Sequence, residues 1–195
     1  MQGPSITLRD VAAAADKFLK TYHPSNNLPV PIEEIVEIKM GIALYAIPGI
    51  KPLLGIDAFI NSDFTQITVD ENSLTAFTQR ARFSIAHEIG HSILHKEWYR
   101  KHGPQSIEDY LTFHERIDAK SYKFIEIQAH TFAGLVLVPK DLLLNQLKLK
   151  LGRVPNQESA EILIPVANDL LDIFQVSGDV MLRRLEKEDI VKSTS

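Results

Sequence analysis

Residues 79–95 read QRARFSIAHEIGHSILH, and the fold turns on how His87, Glu88 and His91 sit within that stretch. At about 100° per residue a helix places His91 some 40° from His87, one turn along on the same face, so both imidazoles can reach a single ion. Glu88 falls about 100° around from His87, beside the pair without joining it, where it can take a proton from water. Ile85, Ile89 and Ile93 form a stripe on the opposite face, expected to pack on a sheet. Gly90 costs about 1 kcal/mol against Ala in a helix interior, which implies that another backbone passes close by. In a chain of this composition, with 7 His, chance yields such an HExxH pattern roughly 0.02 times, so a motif is the better reading.

The composition narrows the chemistry. Cysteine is absent, which removes disulfides, thiolate zinc clusters and cysteine nucleophiles and leaves His, Asp and Glu as metal ligands. The 195 residues are 45% hydrophobic and 24% charged, as expected of one soluble domain with room for a small helical appendage. A formal net charge of −4 lacks the positive field of a dedicated nucleic-acid binder, so direct nucleic-acid binding is not expected. The longest apolar run, AGLVLVP at 133–139, is far short of the roughly 18 residues of a membrane span. The only candidate signal core, VAAAA at 11–15, is bracketed by Asp10 and Asp16, so a cytoplasmic protein is expected.

Working outward, Thr7 is placed to cap a helix through about Tyr22, and Pro31 opens a short helix stopped by Gly41. IALYAIP, GIDAFIN and FTQITVD, separated by turn residues, are expected to form a small antiparallel sheet. The metal helix is expected from about Thr78 to Trp98, with another over 107–118. Ser121 is the expected cap of the next helix, which continues through Val138. Pro139 then opens a helix over DLLLNQLKLK, and two amphipathic helices, 164–175 and 178–188, flank a tight turn. The class is therefore α+β: a small sheet packed on helices as a core over residues 1–139, followed by a helical segment over 140–195.

A catalytic zinc takes three protein ligands and keeps one position for water. Spacing alone leaves the third ligand open among Glu97, Glu108, Glu115, Glu126, Glu158 and Glu161. Glu126 stands out, because Ala129 and Ala133 share its helical face and would let that helix lie against Gly90.

The stretches QRARFSIAHEIGHSILH and EIQAHTFAGLVLVP (126–139) together resemble the ImmA/IrrE family of metallopeptidases, a likeness that extends over about residues 30–140. The resemblance implies a zincin-like core, with His87, His91 and Glu126 as zinc ligands and Glu88 as the general base. It also implies a protein substrate, a helix-turn-helix transcriptional repressor, whose cleavage relieves repression of stress or mobile-element genes. One position departs from the family pattern: four residues after the ligand Glu, His130 stands where Asn or Asp is expected.

The reaction class that follows is peptide-bond hydrolysis, with zinc as cofactor; manganese, iron and cobalt also accept two His and one Glu. The oxyanion needs a donor, and Tyr99, His102, Tyr110, His114, Tyr122 and His130 are candidates by proximity in sequence. His95 is read as structural, being too far along the helix axis for the same ion. Arg80 and Arg82 are read as solvated or paired charges. Arg183, Arg184 and Lys187 suggest a DNA-reading helix, but Glu186, Glu188 and Asp189 dilute their charge and the adjacent apolar residues look like packing. A non-proteolytic regulator keeping its metal as structure is the competing reading, and the oligomeric state is open.

Overall fold

The computed structural model describes residues 4–191. Helix α1 (Leu8–Tyr22) begins as expected at Thr7, whose hydroxyl accepts from Asp10 N–H while the Asp10 carboxylate accepts from Thr7 N–H, a reciprocal capping box. A short helix α2 (Ile32–Glu34) continues as a π-helical turn over Ile35–Lys39 and leads into strand β1 (Ala43–Ile47). Helix α3 (Ile50–Leu54) follows, bracketed by Gly49 and Gly55, both at positive φ. Strands β2 (Ala58–Ile60) and β3 (Gln66–Asp70) complete the sheet.

The α+β class holds, but the sheet is mixed instead of antiparallel. Its order is β1-β3-β2, with β1 parallel to β3 and β2 antiparallel to it. The reason lies in the connections. Only Asn61–Thr65 separates β2 from β3, short enough for a hairpin, whereas α3 stands between β1 and β2 and carries the chain across the sheet. β3 is therefore central and buried, and β2 is an edge strand.

Asp70 caps α4 (Glu71–Ala76), and α5 (Thr78–Leu94) then lies against β2 and β3. The expected long helix breaks at His95, whose backbone leaves the helical region, and α6 (Lys96–His102) and α7 (Ile107–Phe113) follow as separate helices. Asp118, not Ser121, caps α8 (Ala119–Leu137): its carboxylate accepts from Ser121 N–H at 2.9 Å. The misassignment is a register error of three residues, since Ser121 sits where a capped N–H belongs.

α5 and α8 form the central seam, and α1 packs along α8. At Gly90 an added Cβ would lie 3.1 Å from Ala129 Cα and 3.3 Å from the Phe132 ring, so the glycine does mark a close crossing. Ile85 and Ile89 are fully buried, while Ile93 at the end of the stripe is 37% exposed. Arg82 is paired and buried, donating to Glu33, to Val30 O and to Gln175 O, and so ties α5 to both ends of the molecule.

Helices α9 (Lys140–Leu151), α10 (Ala160–Phe174) and α11 (Gly178–Lys187) complete the chain. The turn between α10 and α11 falls where expected, with Ser177 capping α11. Arg184 is not a free cation: it is buried and donates to Val138 O and Glu188. Leu170, Phe174, Val180 and Leu185 are buried as well, so this pair is built for packing. Among the described residues no helix is long and apolar enough to cross a membrane.

Candidate metal centre

The regular turn of α5 brings His87 and His91 together, with their Nε2 atoms 3.0 Å apart. α8 crosses at Gly90 and Ala129 and delivers Glu126 from the opposite side. One Glu126 oxygen lies 3.3 Å from His87 Nε2 and the other 3.5 Å from His91 Nε2. Ligands at 2.0–2.2 Å around a tetrahedral ion stand about 3.3–3.6 Å apart. Two nitrogens 3.0 Å apart, faced by a carboxylate that sets one oxygen 3.3 Å from the first and the other 3.5 Å from the second, fit a divalent cation of the zinc type.

Charge within the cluster is tightly coupled. Burial pulls His87 down, but its hydrogen bond to Glu126 and the charges of Glu88 and Glu126 outweigh that, and its pKa is raised. Burial pushes Glu126 up, and the hydrogen bond and charge of His87 reverse this to a lowered value. His91 is driven well below its ordinary value by burial and by the repulsion of His87, His95 and His130. Glu88 is buried beside these groups, and its carboxyl is pushed up to about 7, chiefly by loss of solvent. One Glu88 oxygen accepts from Ile60 N–H on the edge strand at 2.9 Å.

That edge-strand bond is a contact the sequence reading missed, and no local pattern announces it. The same is true of Gln128, which is buried on α8 and bonded to His95 at 2.9 Å. His95 is as expected no partner of the three converging atoms, but it is not remote: its Nδ1 lies 3.1 Å from His91 Nδ1. Loss of solvent pulls its pKa down to about 4.

A cleft of about 230 Å³ opens onto the cluster, walled by Asp57, Phe83, Tyr99, Tyr110, Tyr122 and His130. Of the candidate donors, Tyr99 is buried with its ring stacked on His91. Burial pushes the hydroxyls of Tyr110 and Tyr122 up, so both keep their O–H near neutral pH. His102 packs against Trp98 and is not part of the wall, and the His114 side chain lies outside the described residues. His130 packs against the His87 ring at 4.4 Å, and its Nδ1 donates to Glu126 O. A neutral His130 thus turns a lone pair, not a donor, to the cleft; among the described residues, His87 with Glu126 and His130, and His87 with Glu88 and His91, each bring three atoms close enough to share an ion.

A helix carrying paired histidines and an acid, crossed by a second helix bearing a carboxylate, is an arrangement of hydrolytic metal centres, and the family match is of that class. The model of the peptidase family described as IrrE N-terminal-like domain matches residues 60–186, and the chain belongs to that family. No curated protein matches the sequence. Among solved structures, a Mycobacterium tuberculosis transcriptional regulator is similar at 14% identity with a TM-score of 0.56; the match covers 91% of this chain and 46% of that one. This chain therefore spans about half the length of that regulator, and at such identity the likeness concerns the fold.

Proposed function

We propose that the protein is a zinc-dependent endopeptidase acting on a specific protein substrate, a helix-turn-helix transcriptional repressor. The observation that carries this reading is the convergence of His87, His91 and Glu126 with the buried Glu88 carboxyl beside them, held on one oxygen by Ile60 N–H. His87, His91 and Glu126 are the residues that would hold the ion, their two Nε2 atoms and carboxylate facing one another. A zinc ion so held supplies Lewis acidity toward the peptide carbonyl and lowers the pKa of water to about 7.

Glu88 then does the proton work. It accepts a proton from the attacking water as the water oxygen bonds to the carbonyl carbon, and returns it to the nitrogen as the C–N bond breaks. Burial, which raises this carboxyl in the metal-free protein, strengthens it as a proton acceptor. A tyrosine O–H on the cleft wall, from Tyr110 or Tyr122, is the donor for the developing oxyanion. Residues 1–139 serve as the catalytic core and 140–195 as its helical cover. A repressor as substrate, and a place in the cytoplasm, accord with the family resemblance and with a transcriptional regulator sharing the fold.

The test is cleavage of helix-turn-helix regulators from the same organism by zinc-loaded protein. Single-site cutting of one of them, abolished in Glu88→Gln, is the expected result; a Glu88→Gln variant cutting as fast as the parent contradicts the mechanism. One observation favours a second reading, a non-proteolytic regulator with a structural metal: His130 can join His87 and Glu126 around an ion and so close the coordination sphere. Unchanged metal affinity in His130→Asn counts against it.

A further inference from the structure

The atoms behind His91 form a continuous chain whose proton positions can be assigned from one fixed point. Ile6 O, a backbone carbonyl, can only accept, and Gln128 Nε2 lies 2.7 Å from it. This orients the Gln128 amide, so its Oε1 is the atom turned toward His95 Nε2 at 2.9 Å. An amide oxygen only accepts, so His95 carries a proton on Nε2. The His95 ring is 1% exposed, and its hydrogen-bond partners are the Gln128 amide and the His91 ring, with no carboxylate bonded to it, so a second proton is disfavoured and its Nδ1 holds a lone pair. His91 Nδ1, at 3.1 Å from that atom, must then be the donor. The proton of His91 is thereby on Nδ1, and the Nε2 that faces His87 and Glu126 is left with its lone pair outward.

We propose that His95 and Gln128 are positioning residues that, anchored on the Ile6 carbonyl, lock His91 in the tautomer able to bind the metal. This rests on the reading of His91 as a ligand and deepens it. Anchoring to the chain just ahead of α1 is firm, because Thr7 next in sequence is held by its capping box. The contrast with the other histidine supports the assignment: His87 Nδ1 is buried with no hydrogen-bond partner among the described residues. The preset ligand is His91, and its ring is also clamped by the stacked Tyr99. Partners of this kind that hold a ligating imidazole set both its orientation and its affinity for the ion.

Two measurements test the proposal. In the metal-free parent protein, long-range proton–nitrogen NMR correlations of the imidazole rings are expected to show His91 protonated at Nδ1 and His95 at Nε2. A proton on His91 Nε2 overturns the proposal and needs no variant to do so. Zinc affinity, measured by competition with a chromophoric chelator, is expected to fall about 10- to 100-fold in His95→Phe and in Gln128→Leu. His95→Asn, which can place a carbonyl oxygen where Nδ1 sits, is expected to recover most of that loss. Parent-like affinity in both His95→Phe and Gln128→Leu, with loss in His91→Ala, overturns the positioning role and leaves the ligand set intact. Parent-like affinity in His91→Ala overturns the underlying ligand assignment instead.

Discussion

His91 and His130 both flank His87, yet they belong to walls built on different principles. Behind His91 the atoms are buried and bonded end to end, from Ile6 through Gln128 and His95, with Tyr99 stacked on the ring. On the other side Glu126 is partly exposed, His130 is exposed, and both line the cleft together with Phe83 and Tyr122. The buried wall fixes geometry at the cost of adaptability, and the open wall is where a polypeptide can approach. A hydrolytic site needs both, because ligands must be preset while one side stays open to water and substrate.

The largest expected effect separates the chemistry from both walls. Glu88→Gln keeps an oxygen to accept the Ile60 N–H but cannot take a proton. Turnover is expected to fall about 10²- to 10⁴-fold with zinc affinity held, as read by single-turnover assays and chelator competition.

The seam behind His91 can be broken with a single methyl. Gly90→Ala gains about 1 kcal/mol of helix propensity, but its Cβ meets the backbone of Ala129 at 3.1 Å, and overpacking of that kind costs about 1–3 kcal/mol. Net destabilisation is expected in denaturant melts. Gly134→Ala, on the same α8, meets only Arg184 Cδ at 3.5 Å and is expected to stabilise by up to about 1 kcal/mol. The same substitution thus reads the two places with opposite sign.

The pH dependence of the metal-free protein sharpens the cost of the site. The folded Glu88 carboxyl titrates at about 7 against 4.5 for the ordinary group, so the folded state binds the proton more tightly. Stability on this account falls as pH rises from about 4.5 to 7 and stays lowered above that range. Glu88→Gln is therefore expected to melt higher than the parent at pH 8, with the gap closing as pH falls toward 4.5. A gap independent of pH contradicts the assigned burial. The smallest effect belongs to the open wall: His130→Asn is expected to leave zinc affinity within about threefold of the parent, since three ligands suffice.

What could be read from the sequence follows from range. The shared face of His87 and His91, the buried Ile85 and Ile89, and the close crossing at Gly90 are set by helical periodicity within a few residues, and all are present. Glu126 was singled out by the small residues on its face, but only the family resemblance chose it from the other acids. The parallel pairing of β1 with β3 depends on α3, a five-residue helix whose punctuation by Gly49 and Gly55 resembles that of an ordinary turn. The break at His95 is hidden because the apolar pattern continues into Trp98 and Tyr99, of which Tyr99 lines the site as part of α6 while Trp98 packs on His102 and Phe113. The Ile60 bond to Glu88 and the Ile6 bond to Gln128 join residues 28 and 122 positions apart, and no local spacing encodes such contacts.

The most direct measurement is a crystal structure of the zinc-loaded protein with the ion located by anomalous scattering. The expected result is one zinc bonded to Nε2 of His87, Nε2 of His91 and a carboxylate oxygen of Glu126, with a fourth position free of protein and Glu88 beside it. Zinc held elsewhere, or a sphere closed by His130 or Glu88, would contradict the assignment of this site to peptide hydrolysis.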